Sequence, residues 1–483
     1  MDYQKKVLGA WLGKAAGGTL GQPYEGSAGP LRLSYYDPVP TGMIANDDLD
    51  AQVVYGCKLA GEWNGEISRH RIAAVWPSCV NNPCDEYGVA IRNLALGLTP
   101  PWTGKYDNFF TAGMGAAIRS EIWACLAPGN PELAAEFAAE DGCVDHCGDG
   151  LYAEQFLAAM ESCAFTCTDR EVILRRSLDL LPEASRLRTA LEDTRRWCME
   201  SGDPAVVREK VMARYGSENF TDVCMNLPAI VAGFLLGGGE FGRSICIAVN
   251  FGNDADCTGA SLGALMGILD PDGIEERFLA PIGHDLVISE GIRGIDAPGT
   301  LEEFAGLICG LRDKVFLGDR TTPDPGDWRR FEIPFRVAEL RPFFTADYRK
   351  FPVEMPEKVR EVRVGGNLIE LDFTGLADNT LQLWETVFRL ESDRRILLVV
   401  NTPAFVMVWV DGVLRFGRET GAMIPAFHRT PMNQRCELEL AAGEHRLRFG
   451  VAPAFAGMTK VPLLFGVAGM DCHWLPRAFH GRS

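Results

Sequence analysis

Up to about Gly318, apolar residues recur at three- and four-residue spacing, which is the pattern of helices that bury one face. The clearest segments are Asp50–Ala60, Pro131–Ala139, Tyr152–Phe165 and Arg170–Leu181. Start signals support two of them, because Asn130 precedes Pro131 and Thr168-Asp169 precedes the last segment. The pattern predicts an all-helical domain over residues 1–318.

A stripe of glycines runs through the later part of this region. Gly259, Gly263 and Gly267 recur every four residues within Thr258–Leu269, so they share one helix face. Glycine costs about 1 kcal/mol per residue in a helix interior, and packing has to offset that cost. The stripe therefore predicts a deeply buried helix that a second helix approaches closely.

Beyond the Pro-, Asp- and Gly-rich segment 319–327, the apolar period changes to two, which is typical of strands. The strand segments are Val362–Val364, Leu368–Phe373, Leu381–Leu390, Ile396–Asn401, Phe405–Val410, Leu438–Leu440 and His445–Val451. Asp411-Gly412 is a hairpin-turn signal, and Ala442-Gly443-Glu444 predicts a hairpin between the last two segments. We expect a linker at 319–327 and an all-β, jelly-roll-like sandwich over 328–483.

Composition narrows the partners and the compartment. The formal net charge of −18 makes the chain a poor match for nucleic acid or an anionic membrane surface. No stretch has the length and apolarity of a membrane span, and the N-terminal residues lack a signal-peptide core. Cys143 and Cys147 flank His146 at helical spacing, which favours buried thiols over zinc binding. If the fifteen cysteines are free thiols, the protein is expected to work in the reducing cytoplasm.

Two acidic clusters, about two hundred residues apart, carry the candidate chemistry. They are Asn46-Asp47-Asp48-Leu49-Asp50 and Gly252-Asn253-Asp254-Ala255-Asp256-Cys257-Thr258. Either cluster alone is compatible with a helix cap or a solvated turn. Gathering so many carboxylates is costly unless a cation binds, and oxygen ligands of this kind suit Mg²⁺, Mn²⁺ or Ca²⁺. If the fold joins the clusters, they form a metal centre.

Further motifs accompany the two clusters. They are Leu8–Gly13, the turn Gly21–Gly26, Pro100–Thr103, Gly113–Arg119, Pro128–Pro131 and Gly150–Tyr152. Together with Asn46-Asp47-Asp48 and Asp254-Ala255-Asp256, they resemble the ordered motifs of the ADP-ribosylglycohydrolase family, in the style of a bacterial subgroup, over about residues 5–310. The resemblance implies an all-helical enzyme with two magnesium ions, manganese being the alternative metal.

The resemblance also implies roles for individual residues. The implied metal ligands are Asn46, Asp47, Asp48, Asp254, Asp256 and Thr258; the implied catalytic residues are Glu25, Asp48 and Asp254; the implied substrate contacts are Gly115, His146 and Asn253. Two metals would hold the vicinal hydroxyls of a ribose and position a water near its anomeric carbon. Glu25 or a cluster aspartate would then handle the proton.

Three departures from the family pattern bear on the metal centre. Gly17-Gly18-Thr19 stands where Gly-Asp is usual, and Asn46 stands in place of a ligating threonine. Cys257 replaces the threonine that usually follows the second aspartate, with Thr258 one position later. A thiol is a poor magnesium ligand, so we expect water or Thr258 to fill that coordination position.

Four other residues admit a structural role as well as a binding role. His146 matches a family histidine near the substrate cleft but is equally compatible with the core, and Arg119 is expected to pair with a buried acid rather than a phosphate. The C-terminal region more loosely resembles jelly-roll accessory domains of carbohydrate-active enzymes. There, Trp409 and His428 would stack on a sugar or belong to the core and a hairpin. We expect a structural module or one that forms a homo-oligomer.

These observations lead to one functional prediction and two alternatives. We predict a metal-dependent glycohydrolase that cleaves the C1″ glycosidic bond of an ADP-ribosyl or related ribosyl group on a small molecule or an ADP-ribosylated substrate. One alternative keeps the metal centre and changes the substrate to another nucleoside-like or glycosidic compound. The other is a catalytically degenerate protein that binds ADP-ribose or a glycan without turnover.

Overall fold

The computed structural model describes residues 2–341, 354–377 and 379–480. The chain divides into two compact units. The helical unit comprises residues 1–81, 100–105 and 110–322, and the β unit comprises residues 82–99, 106–109 and 323–483. Two short segments from the helical part of the sequence therefore belong to the β unit.

In the described part of the helical unit, the regular secondary structure consists mainly of α-helices. They are α1 (Tyr3–Gly21), α2 (Asp47–Ala60), α3 (Arg69–Val75), α5 (Trp102–Lys105), α6 (Ser120–Leu126), α7 (Pro131–Gly142), α8 (Asp149–Ala164), α9 (Arg170–Leu178), α10 (Arg186–Ser201), α11 (Pro204–Tyr215), α12 (Val223–Leu236), α13 (Phe241–Asn250), α14 (Ala255–Leu269), α15 (Glu276–Leu279) and α16 (Leu301–Leu311). The side chains of Asn130 and Asp169 cap α7 and α9, at the starts that the sequence predicted. The all-helical prediction is confirmed.

Short strands add two small pairings to the helical unit. The strands are β1 (Ser27–Ala28), β2 (Glu66–Ile67), β3 (Gly252–Asn253) and β4 (Phe316–Leu317). The pair β1–β3 is antiparallel and the pair β2–β4 is parallel. Strand β3 of the first pair lies directly before α14. Its pairing with β1 therefore fixes the loop that carries the second acidic cluster.

Helices α1 and α14 pack against each other along glycines from both. The glycines of α1 at positions 9, 13 and 17 face Gly267, Gly263 and Gly259 of α14, and a Cβ on any of the six would lie closer than 3.0 Å to a backbone carbonyl oxygen of the other helix. The order of the pairs shows that the two helices run antiparallel. The close helix approach that the glycine stripe predicted is confirmed.

The six facing glycines, called the glycine seam from here on, determine which ends of the two helices meet. A Cβ on Gly21, the last residue of α1, would lie closer than 3.0 Å to the carbonyl carbon and oxygen of Ala255, the first residue of α14. The turn after α1 and the loop before α14 are therefore neighbours. Glu25 lies in that turn, and Asp254 lies in that loop.

The β unit is a sandwich of two antiparallel sheets in the region that the structure describes. Its elements are α4 (Asp85–Ala95), β5 (Ile333–Leu340), β6 (Arg360–Val364), β7 (Leu368–Asp372), β8 (Leu381–Leu390), β9 (Arg394–Asn401), β10 (Phe405–Val410), β11 (Val413–Arg418), β12 (Arg435–Leu440), β13 (Gly443–Ala452) and β14 (Lys460–Ala468). The strand orders are β11-β10-β13-β8-β5-β6 and β12-β9-β14-β7. Alternating apolar residues of both sheets form the core between them. The predicted fold class, a helical domain followed by a β-sandwich, is confirmed.

One predicted hairpin of the sandwich is wrong. Asp411-Gly412 does join the paired strands β10 and β11. The strands β12 and β13 also form where expected, but β12 pairs with β9 whereas β13 pairs with β8 and β10. The short connection at Ala441-Ala442 therefore crosses from one sheet to the other. Local turn chemistry did not reveal this, because the alternation of apolar residues is the same for either partner.

Trp409 lies in the core of the β unit, as its structural alternative expected, whereas His428 does not lie in a hairpin of the described strands. Trp409 is 2% exposed and packs in a buried cluster with Met407 and Phe405. His428 lies in the irregular segment between β11 and β12, with its Nε2 atom 3.8 Å from Asp85 Oδ1. Burial lowers the pKa of His428 to about 4.

Buried polar contacts hold the two inserted segments in the β unit. The carboxylate of Asp107 accepts hydrogen bonds from the backbone N–H groups of Asn367 and Leu368, each at 2.8 Å. The guanidinium of Arg92 lies 3.0 Å from the same carboxylate. Arg429 forms an ion pair with Asp85 at the start of α4.

Among the described residues, none of the helices combines the length and the apolar character that a membrane span requires.

Replacing Gly17 by alanine tests the glycine seam. The new Cβ would overlap the carbonyl of Gly259, so the helices have to separate. We expect Gly17→Ala to lower the free energy of unfolding by about 1–3 kcal/mol or more, as overpacking does. Gly306→Ala on the exposed side of α16 is the matched control, because no atom lies within 4 Å of its Cβ position. That control should be neutral or stabilising by about 1 kcal/mol. Equal effects in urea denaturation would contradict the seam.

Candidate metal centre

Backbone pairing brings Glu25 and Asp254 together. Ser27 pairs with Asn253 in the β1–β3 ladder, and the backbone N–H of Gly26 donates a 2.8 Å hydrogen bond to the carbonyl of Asn253. Gly26 has a φ of +72°, a conformation that favours glycine. Glu25 is exposed and stands at the edge of the buried aspartates.

Two groups of side chains in the described residues have ligand atoms within 4.8 Å of one another. One group is Asp48, Asp256 and Cys257, and the other is Glu25, Asp254 and Asp256. Asp256 belongs to both groups, so the two groups share one side chain. The fold therefore does bring the two acidic clusters of the sequence to one place.

The three central carboxylates are buried and short of hydrogen-bond donors. Asp48, Asp254 and Asp256 are 1%, 2% and 3% exposed. Both oxygens of Asp48, Oδ2 of Asp254 and Oδ1 of Asp256 have no hydrogen-bond partner. Burial raises the pKa of each carboxyl well above its usual range, and neighbouring carboxylates raise it further. Divalent cations would supply the missing positive charge, so these residues fit a metal.

The remaining residues of the two clusters have other partners. Asn46 caps α2 by accepting from the Asp48 N–H at 3.0 Å, and its Nδ2 donates to Asp256 Oδ2 at 3.3 Å. Asp47 is exposed in the first turn of α2, and its charge contributes to the raised pKa of Asp256. The hydroxyl of Thr258 donates to the carbonyl of Ala255 at 3.1 Å.

Asp50 ends the first cluster but belongs to neither ligand group. Its Oδ1 accepts a 2.9 Å hydrogen bond from the backbone N–H of Ser289. Burial raises the pKa of Asp50 to about 6. This aspartate therefore anchors a loop of the helical unit.

Comparison with known proteins identifies the family. A family model described as ADP-ribosylglycohydrolase matches residues 1–312, which is more than half of the chain. The chain belongs to the ADP-ribosylglycohydrolase family. Membership supports a hydrolase, and the metal dependence of the family agrees with the acidic groups described above.

Solved structures similar to this ADP-ribosylglycohydrolase family member share little sequence identity with it. The chain is similar to an ADP-ribosylglycohydrolase-related protein complex, with a TM-score of 0.47 and 20% identity over 65% of this chain and 99% of the other. It is also similar to a GH31 α-xylosidase from Xanthomonas citri, with a TM-score of 0.17 and 13% identity over 29% and 14% of the two chains. A β-glucosidase from Kluyveromyces marxianus has a TM-score of 0.20 and 9% identity over 35% and 22%. No curated protein sequence matches significantly.

The residues predicted to contact substrate lie partly in a buried ion-pair network. Arg119 is fully buried and pairs with Asp141 at 3.0 Å and with Asp145 at 2.9 Å. It also donates to the carbonyl of Gly115 at 2.5 Å. His146 Nδ1 lies 3.0 Å from Asp145, and the whole residue is buried. The predicted structural pairing of Arg119 is confirmed, and the substrate roles of Gly115 and His146 stay predictions.

Asn253 serves the backbone of this ADP-ribosylglycohydrolase fold. Its main chain has a φ of +64° and pairs with Ser27. Its side-chain Nδ2 lies 3.6 Å from the sulfur of Met212. Its predicted contact with substrate also stays a prediction.

Lys14 is the residue of the site that sequence reasoning missed. It lies in the middle of α1 and is 2% exposed, with its Nζ 2.8 Å from Glu121 Oε1 and 3.9 Å from Asp48 Oδ1. Gln52 donates to the second Glu121 oxygen at 2.8 Å. Burial opposes the charge on Lys14, but Glu121 and Asp48 raise its pKa above the ordinary value. A lysine within the Gly- and Ala-rich part of α1, well after Lys5 and Lys6 of its first turn, was the signal available in the sequence.

Removing the charge of Lys14 tests whether it stabilises the buried carboxylates of Glu121 and Asp48. Lys14→Met would leave Glu121 and Asp48 buried without a compensating cation, so we expect a loss of about 3–5 kcal/mol in unfolding free energy. Lys5→Met is the control in the same helix, because the Lys5–Asp272 pair is largely exposed. Its effect should stay below about 1 kcal/mol. Similar losses for the two variants in urea denaturation would show that Lys14 is not an internal counterion.

Proposed function

We propose that this chain is a metal-dependent glycohydrolase that cleaves the C1″ glycosidic bond of an ADP-ribosyl or related ribosyl group. One observation carries the proposal. Three buried aspartates from distant parts of the sequence converge with oxygens that lack hydrogen-bond donors, beside an exposed glutamate. Family membership supplies the substrate class.

The proposed roles follow from the position of each side chain. Asp48, Asp254 and Asp256 would hold the metals, which supply Lewis-acid chemistry and orient ribose hydroxyls when bound. Asn46 holds Asp256 in place through its amide, and Lys14 balances part of the charge on Asp48. Glu25 is the one member of the two ligand groups that is exposed, so we assign it the proton transfer to the leaving group or from water.

The chain as a whole fits this proposal. We assign catalysis to residues 1–318, a linker to 319–327 and an accessory role to 328–483. Magnesium is the expected metal and manganese the alternative.

All fifteen cysteines are free thiols, which is compatible with a protein that works in the reducing cytoplasm. The substrate is a small molecule or an ADP-ribosylated group.

Ligand-dependent stability tests the site. At a hundredfold excess over its Kd, ADP-ribose should stabilise the metal-loaded protein by about 2.7 kcal/mol in thermal unfolding. The shift should require Mg²⁺ or Mn²⁺ and should vanish in Asp254→Asn. Asp313→Asn is the matched control, since that carboxylate is exposed and pairs with Arg312. A metal-dependent shift without an ADP-ribose effect would point instead to another glycoside.

Glu25→Gln separates chemistry from metal binding. Because the amide cannot exchange a proton at the reaction pH, we expect kcat for release of ADP-ribose to fall about 10²–10⁴-fold. The metal-dependent thermal shift should remain, unlike in Asp254→Asn. Loss of that shift in Glu25→Gln would mean that Glu25 is a metal ligand rather than the proton carrier. Unchanged kcat would exclude both roles.

A further inference from the structure

The donor atoms of the centre differ from an all-oxygen set. Asn46 uses its amide oxygen to accept from the Asp48 N–H, and the atom that faces Asp256 is the amide nitrogen, which cannot bind a cation. Thr258 directs its hydroxyl to Ala255, in the preceding turn of its own helix. Asn46 therefore presents a nitrogen to Asp256, and the Thr258 hydroxyl donates its proton to the helix backbone.

A thiol stands in the cluster instead. Cys257 is 7% exposed, and its Sγ lies within 4.8 Å of carboxylate oxygens of Asp48 and Asp256. Both of those carboxylates have oxygens without a hydrogen-bond donor. Cys257 is a buried thiol beside buried carboxylates, those of Asp48 and Asp256 and also that of Asp254, and a cation would offset the cost of burying them.

We propose that Cys257 is a metal ligand and that the centre is chemically asymmetric. This rests on the proposed function only in taking the acidic groups to bind cations. The group made by Asp48, Asp256 and Cys257 favours a softer divalent ion such as Zn²⁺ or Fe²⁺ over Mg²⁺, because thiolate ligands bind these softer ions better than Mg²⁺. On the other side of the cluster, Asp254 and Asp256 offer carboxylate oxygens, which suit Mg²⁺. On binding, the sulfur–metal bond forms as the thiol proton leaves to solvent.

Cobalt spectroscopy tests the ligand directly and without any assay of activity. The full chain is freed of metal by chelation and titrated with Co²⁺ alone, whose bond to a thiolate gives a charge-transfer absorption in the near ultraviolet. We expect this absorption in the wild type and its loss in Cys257→Ser. Cys246→Ser is the matched control, because Cys246 is buried on the neighbouring helix α13 and belongs to neither ligand group among the described residues. It should keep the absorption.

Calorimetry gives the second readout. The affinity for Zn²⁺ relative to Mg²⁺ should fall about tenfold or more in Cys257→Ser, since even residues that only support metal ligands change affinity by such factors. Cys257→Thr is a second variant in case serine at this position prevents folding. Co²⁺ binding to the wild type without the thiolate absorption would overturn the proposal for Cys257. The ADP-ribose-dependent thermal shift would then still support the proposed glycohydrolase function. If the protein bound no metal at all, both the proposal for Cys257 and the proposed function would be wrong.

Discussion

The close approach of α1 and α14 is the constraint on which the site depends. Glycines four residues apart on both helices let the two backbones touch, and their order makes the helices antiparallel. Gly21 therefore meets Ala255, so the turn with Glu25 and the loop with Asp254 share one end of the pair. Any larger residue in the seam would separate the helices and with them the two parts of the centre.

Charge is the second constraint on the helical unit. Three carboxylates are buried where few donors reach them, and Lys14 beneath Asp48 balances only part of their charge. Such an arrangement is costly in an apoprotein, because a buried carboxylate without partners loses its hydration. A divalent cation turns the same geometry into a favourable one. Binding of a cation at this candidate site would therefore also stabilise the helical unit.

The β unit shows how segments far apart in sequence complete one structure. Helix α4 and residues 106–109 come from the helical part of the chain but group with the sandwich. Asp107 holds the start of β7 through two backbone hydrogen bonds and is balanced by Arg92. Removing one partner of a buried ion pair strongly destabilises a protein, so these segments are integral parts of the β unit.

The sequence by itself determined the helical and β-sandwich regions, the glycine stripe and the two acidic clusters, because periodicity and spacing are local properties. It did not reveal that β12 and β13 enter different sheets or that α4 belongs with the sandwich, since strand partners and packing are chosen by distant residues. Only the tertiary structure showed that Lys14 lies beside Asp48 and that the thiol of Cys257 lies within 4.8 Å of carboxylate oxygens of Asp48 and Asp256. The physical reason is that side-chain direction at a helix start depends on hydrogen bonds and neighbours that the order of residues does not specify.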